Sequence, residues 1–129
     1  MKTSKIVTIY NSLQKMQEKK LPVRLSLILY RNLQKIKSIA EKAEEERVAL
    51  IREYAEKDDS GNPIDDGGRF HIPDADSFMK EMDELLNTEV DVTFDKLSMK
   101  DIERCDEEEK FDSLTMEEIG AIECMIEDE

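Results

Sequence analysis

Apolar residues in the first half of the chain recur at spacings of three and four. The clearest run lies between Val23 and Lys57, where Leu29, Leu33, Ile36, Ala40, Ala43, Arg47, Leu50 and Tyr54 follow one another at 4, 3, 4, 3, 4, 3, 4. That rhythm keeps one stripe of a helix turned toward a partner. Ile28, Ile39, Val48 and Ile51 widen the stripe, which suits a globular bundle better than a bare two-stranded zipper. The segment has no Gly or internal Pro and is rich in Ala, Glu, Lys, Gln and Leu, residues that lose little on entering a helix. A helix from Leu25 to Lys57 is roughly 50 Å long at about 1.5 Å per residue. A domain of this mass does not require that length, so part of the helix is expected to project or to meet another subunit. Gly61 and Pro63 in KDDSGNP stop it. Arg47 interrupts the stripe. Its stem is expected to lie along the helix while the guanidinium reaches Glu44 or Glu46; the alternative is a buried Arg kept for an anionic ligand or a partner carboxylate. Ala40 and Ala43 are small enough for a neighbouring helix to approach closely.

Shorter elements flank this rod. Ile6, Ile9, Leu13 and Met16, spaced 3, 4, 3, predict a helix over residues 4–20, although Ile6 to Tyr10 are β-prone types. Leu21-Pro22 ends it and Pro22 opens the next helix, so the two form an antiparallel hairpin. Within DDSGNPIDDGGRFHIP, Ile64 and Phe70-His71-Ile72 flank Asp66-Gly67-Gly68 as a short β-hairpin. Residues 74–87 read as a helix capped by Asp74 or Asp76, with Phe78, Met82, Leu85 and Leu86 on its buried side. Strict alternation from Glu89 to Phe94 predicts a half-buried strand that joins the Phe70 region in a small sheet. Leu97, Met99 and Ile102 fit either a further alternation or a short helical turn capped by Ser98. Thr115 and Glu118 make a capping box ahead of a helix through Ile126, burying Ile119, Ile122, Met125 and Ile126.

The expected fold is α+β: a long N-terminal helical hairpin, a small two- or three-stranded sheet with a covering helix, and a C-terminal helix. All 129 residues belong to a single domain. Within it, residues 1–57 form the basic helical hairpin, 58–104 a small α+β unit, and 105–129 an acidic tail with the C-terminal helix.

Charge sharpens this division. Residues 1–57 hold 13 Lys/Arg and 7 Asp/Glu, a net of +6, whereas residues 58–129 hold 6 and 25, a net of −19. Either the acidic half covers the basic helices, within one chain or between subunits, or each half meets an outside partner of opposite sign. The overall −13 disfavours general affinity for nucleic acid, which requires neutralisation of phosphates. With 39% hydrophobic residues and no Trp, the core is aliphatic and thin for the length, and oligomerisation would help it. No run of about 18 apolar residues and no signal peptide occurs, so no membrane partner is expected and the location read from the sequence is cytoplasmic. Cys105 and Cys124 lack metal-ligand spacing and are expected to be reduced.

Catalytic motifs are missing: there is no Walker-type glycine loop, GxGxxG, HExxH, CxxC or nucleophile elbow. DDSGNPI fails as a calcium loop, because the sixth and twelfth positions from Asp58 are Pro63 and Arg69 rather than Gly and Glu. His71, the only histidine, has no nearby Ser, Cys or paired carboxylate in the sequence. The expectation is therefore a protein that is not an enzyme, with no cofactor and no metal.

Three stretches carry a resemblance: KIVTIYNSLQKM…KKLPVRLSLILYRNLQKI, then EEERVALIREYAEKDDSGNP, and later FMKEMDELLNTEVDV. Together they resemble a family of small proteins of unassigned function from tailed phages and prophages of Gram-positive bacteria. The resemblance spans about residues 5–95 and implies a phage or prophage origin; it supplies no catalytic residues. The expected role is that of a non-enzymatic phage accessory protein that binds a host or phage macromolecule as an inhibitor of a bacterial defence or host enzyme. Glu107, Glu108, Glu109, Glu117 and Glu118 are the candidate contacts on the acidic side, and Arg24, Arg31, Lys35 and Arg47 those on the basic side. The alternatives are a virion structural or assembly protein self-associating through the 25–57 helix, and a binder of nucleic acid or an anionic nucleotide through the basic hairpin. The expected partner is thus a protein, together with further copies of the chain through that helix, and nucleic acid is the less favoured choice.

Overall fold

The computed structural model describes residues 1–127. Helix α1 (Thr3–Met16) and helix α2 (Val23–Tyr54) form the expected hairpin, so the β-prone types between Ile6 and Tyr10 do not prevent α1 from starting at Thr3. The two helices run antiparallel: Leu13 and Met16 lie beside Leu29 and Leu33, while Val7 and Tyr10 lie beside Ala40 and Glu44. Leu29, Leu33, Ile36, Ala40 and Ala43 are buried, Leu50 and Tyr54 are half-buried, and Arg47 is exposed. Ile6 and Ile9 of α1 meet this stripe with almost no exposed surface. Burial of each such side chain contributes roughly 1.5–3 kcal/mol, against about 0–1 kcal/mol for an exposed ion pair. The hairpin is therefore held by its aliphatic seam.

Residues 55–74 make the turn-rich connector. Asp58 Oδ1 accepts from the backbone N–H groups of Ser60 and Asn62, and Gly61 adopts φ +83°. Beyond it, β1 (Asp65–Asp66) and β2 (Arg69–Phe70) pair antiparallel, Asp65 opposite Phe70 and Asp66 opposite Arg69. Gly67 and Gly68 at the tip have φ +64° and +87°, the double left-handed turn that matches the twist of a hairpin. The amide of Glu56 donates to His71 O, and that of Ile64 to Glu56 O, which ties the connector to the end of α2.

Helix α3 (Ala75–Asn87) starts at Asp74, whose side chain accepts from Ser77 N–H. It packs mainly on α2 and also reaches α1, with Phe78 set edge-on to the Tyr54 ring. None of its side chains is fully buried.

The strand expected over 89–94 is absent, and the sheet is two-stranded among the described residues. Phe94 is buried and Val90 and Val92 half-buried, while Asp91 and Thr93 face out. The alternation is real, but no second strand lies alongside. The segment is fixed instead to the start of α1, where Val90 N–H donates to Met1 O and Thr3 N–H to Thr88 O.

Of the two options at Leu97 to Ile102, the helix is realised: α4 (Met99–Glu107) is capped by the Ser98 hydroxyl. Helix α5 (Met116–Ile122) carries the expected capping box and tightens into a 3₁₀ turn at Glu123–Met125. The single helix expected through Ile126 thus ends early. Its buried face is Glu118, Ala121, Ile122 and Met125, which leaves Ile119, expected inside, 43% exposed.

One buried polar side chain joins this C-terminal region to the rod. Asn32, with no exposed surface, donates from Nδ2 to Asp95 O at 3.0 Å and accepts at Oδ1 from Asp95 N at 2.8 Å. The same Nδ2 lies 3.2 Å from Met125 Sδ. Alongside, Leu97 N–H donates to Met125 O and Glu127 N–H to Leu97 O. Removing Asn32 leaves both backbone groups of Asp95 without their partners, and such losses are costly inside a protein. Asn32→Ala is expected to lower unfolding free energy by about 2–3 kcal/mol. Asn11→Ala, at an exposed site on α1, is expected to change it by less than about 0.5 kcal/mol; urea denaturation compares the two.

Candidate functional site

The charged halves meet along one side of the hairpin. Lys19, just past α1, places Nζ 2.8 Å from Glu118 Oε1 and donates to Ser113 O at 2.8 Å. Lys20 N–H donates to Asp112 Oδ2 at 2.7 Å, and Asp112 N–H returns a bond to Lys20 O at 2.8 Å. On α2, Arg24 Nε lies 3.6 Å from Asp101 Oδ2, while Lys35 Nζ reaches Asp95 Oδ1 at 2.9 Å and Thr93 O at 3.0 Å. Three cations of the basic hairpin are therefore matched by three carboxylates of the acidic half within one chain. Asp101 is buried, and its Oδ2 accepts no hydrogen bond among the described residues, so the Arg24 contact is electrostatic alone.

The remaining candidates separate into engaged and open groups. Arg47 grips Glu44 with two hydrogen bonds of 2.8 and 2.6 Å on the surface of α2. This is the local pair foreseen for it, and the buried-Arg alternative does not occur. Glu108 is held by Arg104 at 2.7 Å, with Lys110 at 3.6 Å. Both cations also lie over the Phe111 ring, 5.5 and 5.1 Å from its centre. Glu118 faces inward, its side chain 12% exposed and committed to Lys19 and the Thr115 cap. Glu107, Glu109, Glu117 and Arg31 are exposed and have no oppositely charged group within 4 Å among the described residues. The acidic surface available to a partner is therefore narrower than the sequence implies, and of the four basic candidates only Arg31 is unpaired among the described residues.

His71 is exposed beyond β2. Burial raises the Cys105 thiol above its ordinary range, which keeps it protonated, and its Sγ lies 3.7 Å from Asp101 O. Among the described residues no cluster of His, Cys, Asp or Glu is placed to hold a metal ion, and no helix is long and apolar enough to cross a membrane. Two features escaped the sequence reading. One is Asn32, hidden because a lone Asn on a helix gives no periodic signal. The other is a groove of about 310 Å³ between α1 and α2, floored by Leu13, Met16, Leu29 and Leu33 and edged by Tyr30 and Lys19.

The ion pairs carry a pH signature. Burial by itself would raise the Glu118 carboxyl, but the Lys19 ammonium and the Thr115 amide outweigh it and hold the group below its ordinary range. Arg47 lowers Glu44, Lys35 lowers Asp95 and Arg104 lowers Glu108. Carboxyls depressed in the folded state contribute stability that is fully present above their unfolded values, near pH 4–4.5, and is lost as pH falls through the folded ones. Unfolding free energy is thus expected to hold level down to about pH 5 and to fall below it. Glu118→Gln is expected to cost about 1 kcal/mol at neutral pH and to shallow that acid decline. Urea midpoints measured from about pH 3 to pH 7 check both.

No protein-family model matches this chain, and no curated protein or solved structure shows significant similarity to it.

Proposed function

We propose that this is a non-enzymatic phage or prophage accessory protein that works by binding a host or phage macromolecule, as an inhibitor of a bacterial defence or host enzyme in the cytoplasm. The observation that carries the proposal is the unequal neutralisation of charge. Among the described residues, four of the hairpin's 13 Lys/Arg side chains have a carboxylate within 4 Å, which leaves nine, whereas five of the 23 carboxylates between Asp58 and Glu127 have a cation, which leaves 18. A surface of this sign favours a basic groove on the partner, attracts it over distances of about a Debye length, and gives binding that weakens with salt. Glu107, Glu109 and Glu117 form the part of that surface assigned to the contact. Glu108 and Glu118 serve it from behind, through Arg104 and Lys19.

The same engagement of Lys19, Arg24 and Lys35 weakens the reading as a binder of nucleic acid or an anionic nucleotide. The virion-assembly reading draws support from a different place, the exposed side of α2.

The triple variant Glu107→Gln/Glu109→Gln/Glu117→Gln is expected to lose at least tenfold in retention of the partner from a Gram-positive host lysate, equivalent to about 1.4 kcal/mol. Asp58→Asn/Asp59→Asn, on the connector, is expected to keep it. An unchanged partner set in the triple variant would remove the acidic face from the mechanism.

A further inference from the structure

Helix α2 carries a second stripe, separate from the one that lines the core. It runs from Val23 through Leu27 and Tyr30 to Lys37, Glu41 and Val48, keeping the 4, 3 spacing with Gln34 and Glu44 in the intervening places. Val23, Leu27 and Tyr30 are 85, 45 and 58% exposed, Lys37 and Glu41 are exposed, and Val48 is half-buried. Exposed apolar side chains at heptad spacing, here Val23, Leu27 and Tyr30, make the kind of patch by which one helix recognises another, and the positions that continue the spacing to Val48 are polar. The stripe also borders the groove between α1 and α2. Tyr30 edges the 310 Å³ portion near the turn between α1 and α2, and Glu41 and Glu44 edge a further portion of about 450 Å³.

Charge along the same helix selects the occupant. Residues 23–38 contain four cations and no acid, and Arg31 and Lys37 among them have no counter-ion within 4 Å among the described residues; residues 39–54 contain five acids and three cations, of which Glu44 and Arg47 pair with each other and Glu41, Glu45, Glu46 and Glu53 are unpaired. A parallel copy of α2 would set like charge against like. An antiparallel copy sets the basic half of each against the acidic half of the other. Lys37 and Glu41 sit at the changeover, and neither has a counter-ion within 4 Å among the described residues, although they are one turn apart on the same helix.

We propose that two copies of this chain associate through this stripe as a two-fold antiparallel pair of α2 helices, with Lys37 of each copy opposite Glu41 of the other. In that register Tyr30 meets Val48 and Leu27 meets Ile51, so apolar groups face apolar groups at both ends. Two-fold symmetry makes every contact twice. A register centred on Tyr30 against Tyr30 brings the two basic halves together and leaves the carboxylates unmatched. Each α1 flanks the joined α2 helices, and the assembly becomes a four-helix bundle in which the grooves are filled. This surface is distinct from the acidic face above, so the two assignments stand or fall separately.

Sedimentation equilibrium over a wide concentration range tests the pairing. The full chain is expected to approach twice its 15.0 kDa mass. Tyr30→Glu is expected to return it to a monomer with unchanged helical circular dichroism, since Tyr30 is not part of the core. Lys37→Glu and Glu41→Lys are each expected to raise the dissociation constant by about tenfold or more, and the double exchange Lys37→Glu/Glu41→Lys to restore it. A single-chain mass at every concentration would overturn the proposal and leave the groove to a different protein. So would a dimer indifferent to Tyr30→Glu, or a double exchange that fails to rescue the singles.

Discussion

The contact between the Asn32 carboxamide and the backbone of Asp95 is the directional constraint on which this fold depends. Apolar surfaces attract without specifying a register, and an aliphatic hairpin such as α1–α2 would accept a covering segment in several positions. A buried amide that must both donate and accept admits one position. Asn32 places Asp95, which places Leu97, and Leu97 in turn pairs through its backbone with the segment at Met125 to Glu127. The C-terminal elements are located on the rod by this short relay, and the apolar contacts of Leu97, Ile122 and Met125 then supply most of the energy.

What could be read from residue order alone follows from this division of labour. Positions fixed by a short-range rule were legible: the stripe from Leu29 to Ala43, the Gly67-Gly68 tip, the caps at Asp74 and Thr115. Each depends on neighbours within one or two turns. The segment from Glu89 to Phe94 shows the limit. Its alternation reported correctly which side chains turn inward, yet periodicity contains no information about whether a second strand lies alongside. Here the neighbour is the start of α1, so the extended chain is anchored at one end and packed on one side without becoming a strand. Ile119 illustrates a different limit, because α5 is only seven residues long and its rotational setting is fixed by Glu118 and its cap.

The candidate site was legible mainly in its charge. Cover of the basic half by the acidic half was one of two arrangements implied by their opposite signs; which residues meet depended on long-range geometry. Lys19 and Glu118 are 99 positions apart, and nothing in either local sequence marks the pairing. The result is selective. A few carboxylates are withdrawn from the surface to satisfy the hairpin, and the others are left in solvent, where mutual repulsion opposes compactness. Arg47 behaved as a surface residue although it stands on the apolar stripe: it is exposed, and its guanidinium is held by Glu44 one turn back on the same helix.

That change along α2 has a dynamic consequence. The N-terminal part of the rod is enclosed by α1 and the C-terminal elements, and its buried positions are sealed; beyond Ala43 the helix is covered chiefly by α3, which has no sealed side chain of its own. Local opening costs least where few groups are shielded from water. One continuous 32-residue helix should therefore exchange its amide hydrogens at two rates, slowly over about the first six turns and faster over about the last three. The far end of the molecule, with its glycine-tipped hairpin, is expected to open at lower cost than the enclosed end.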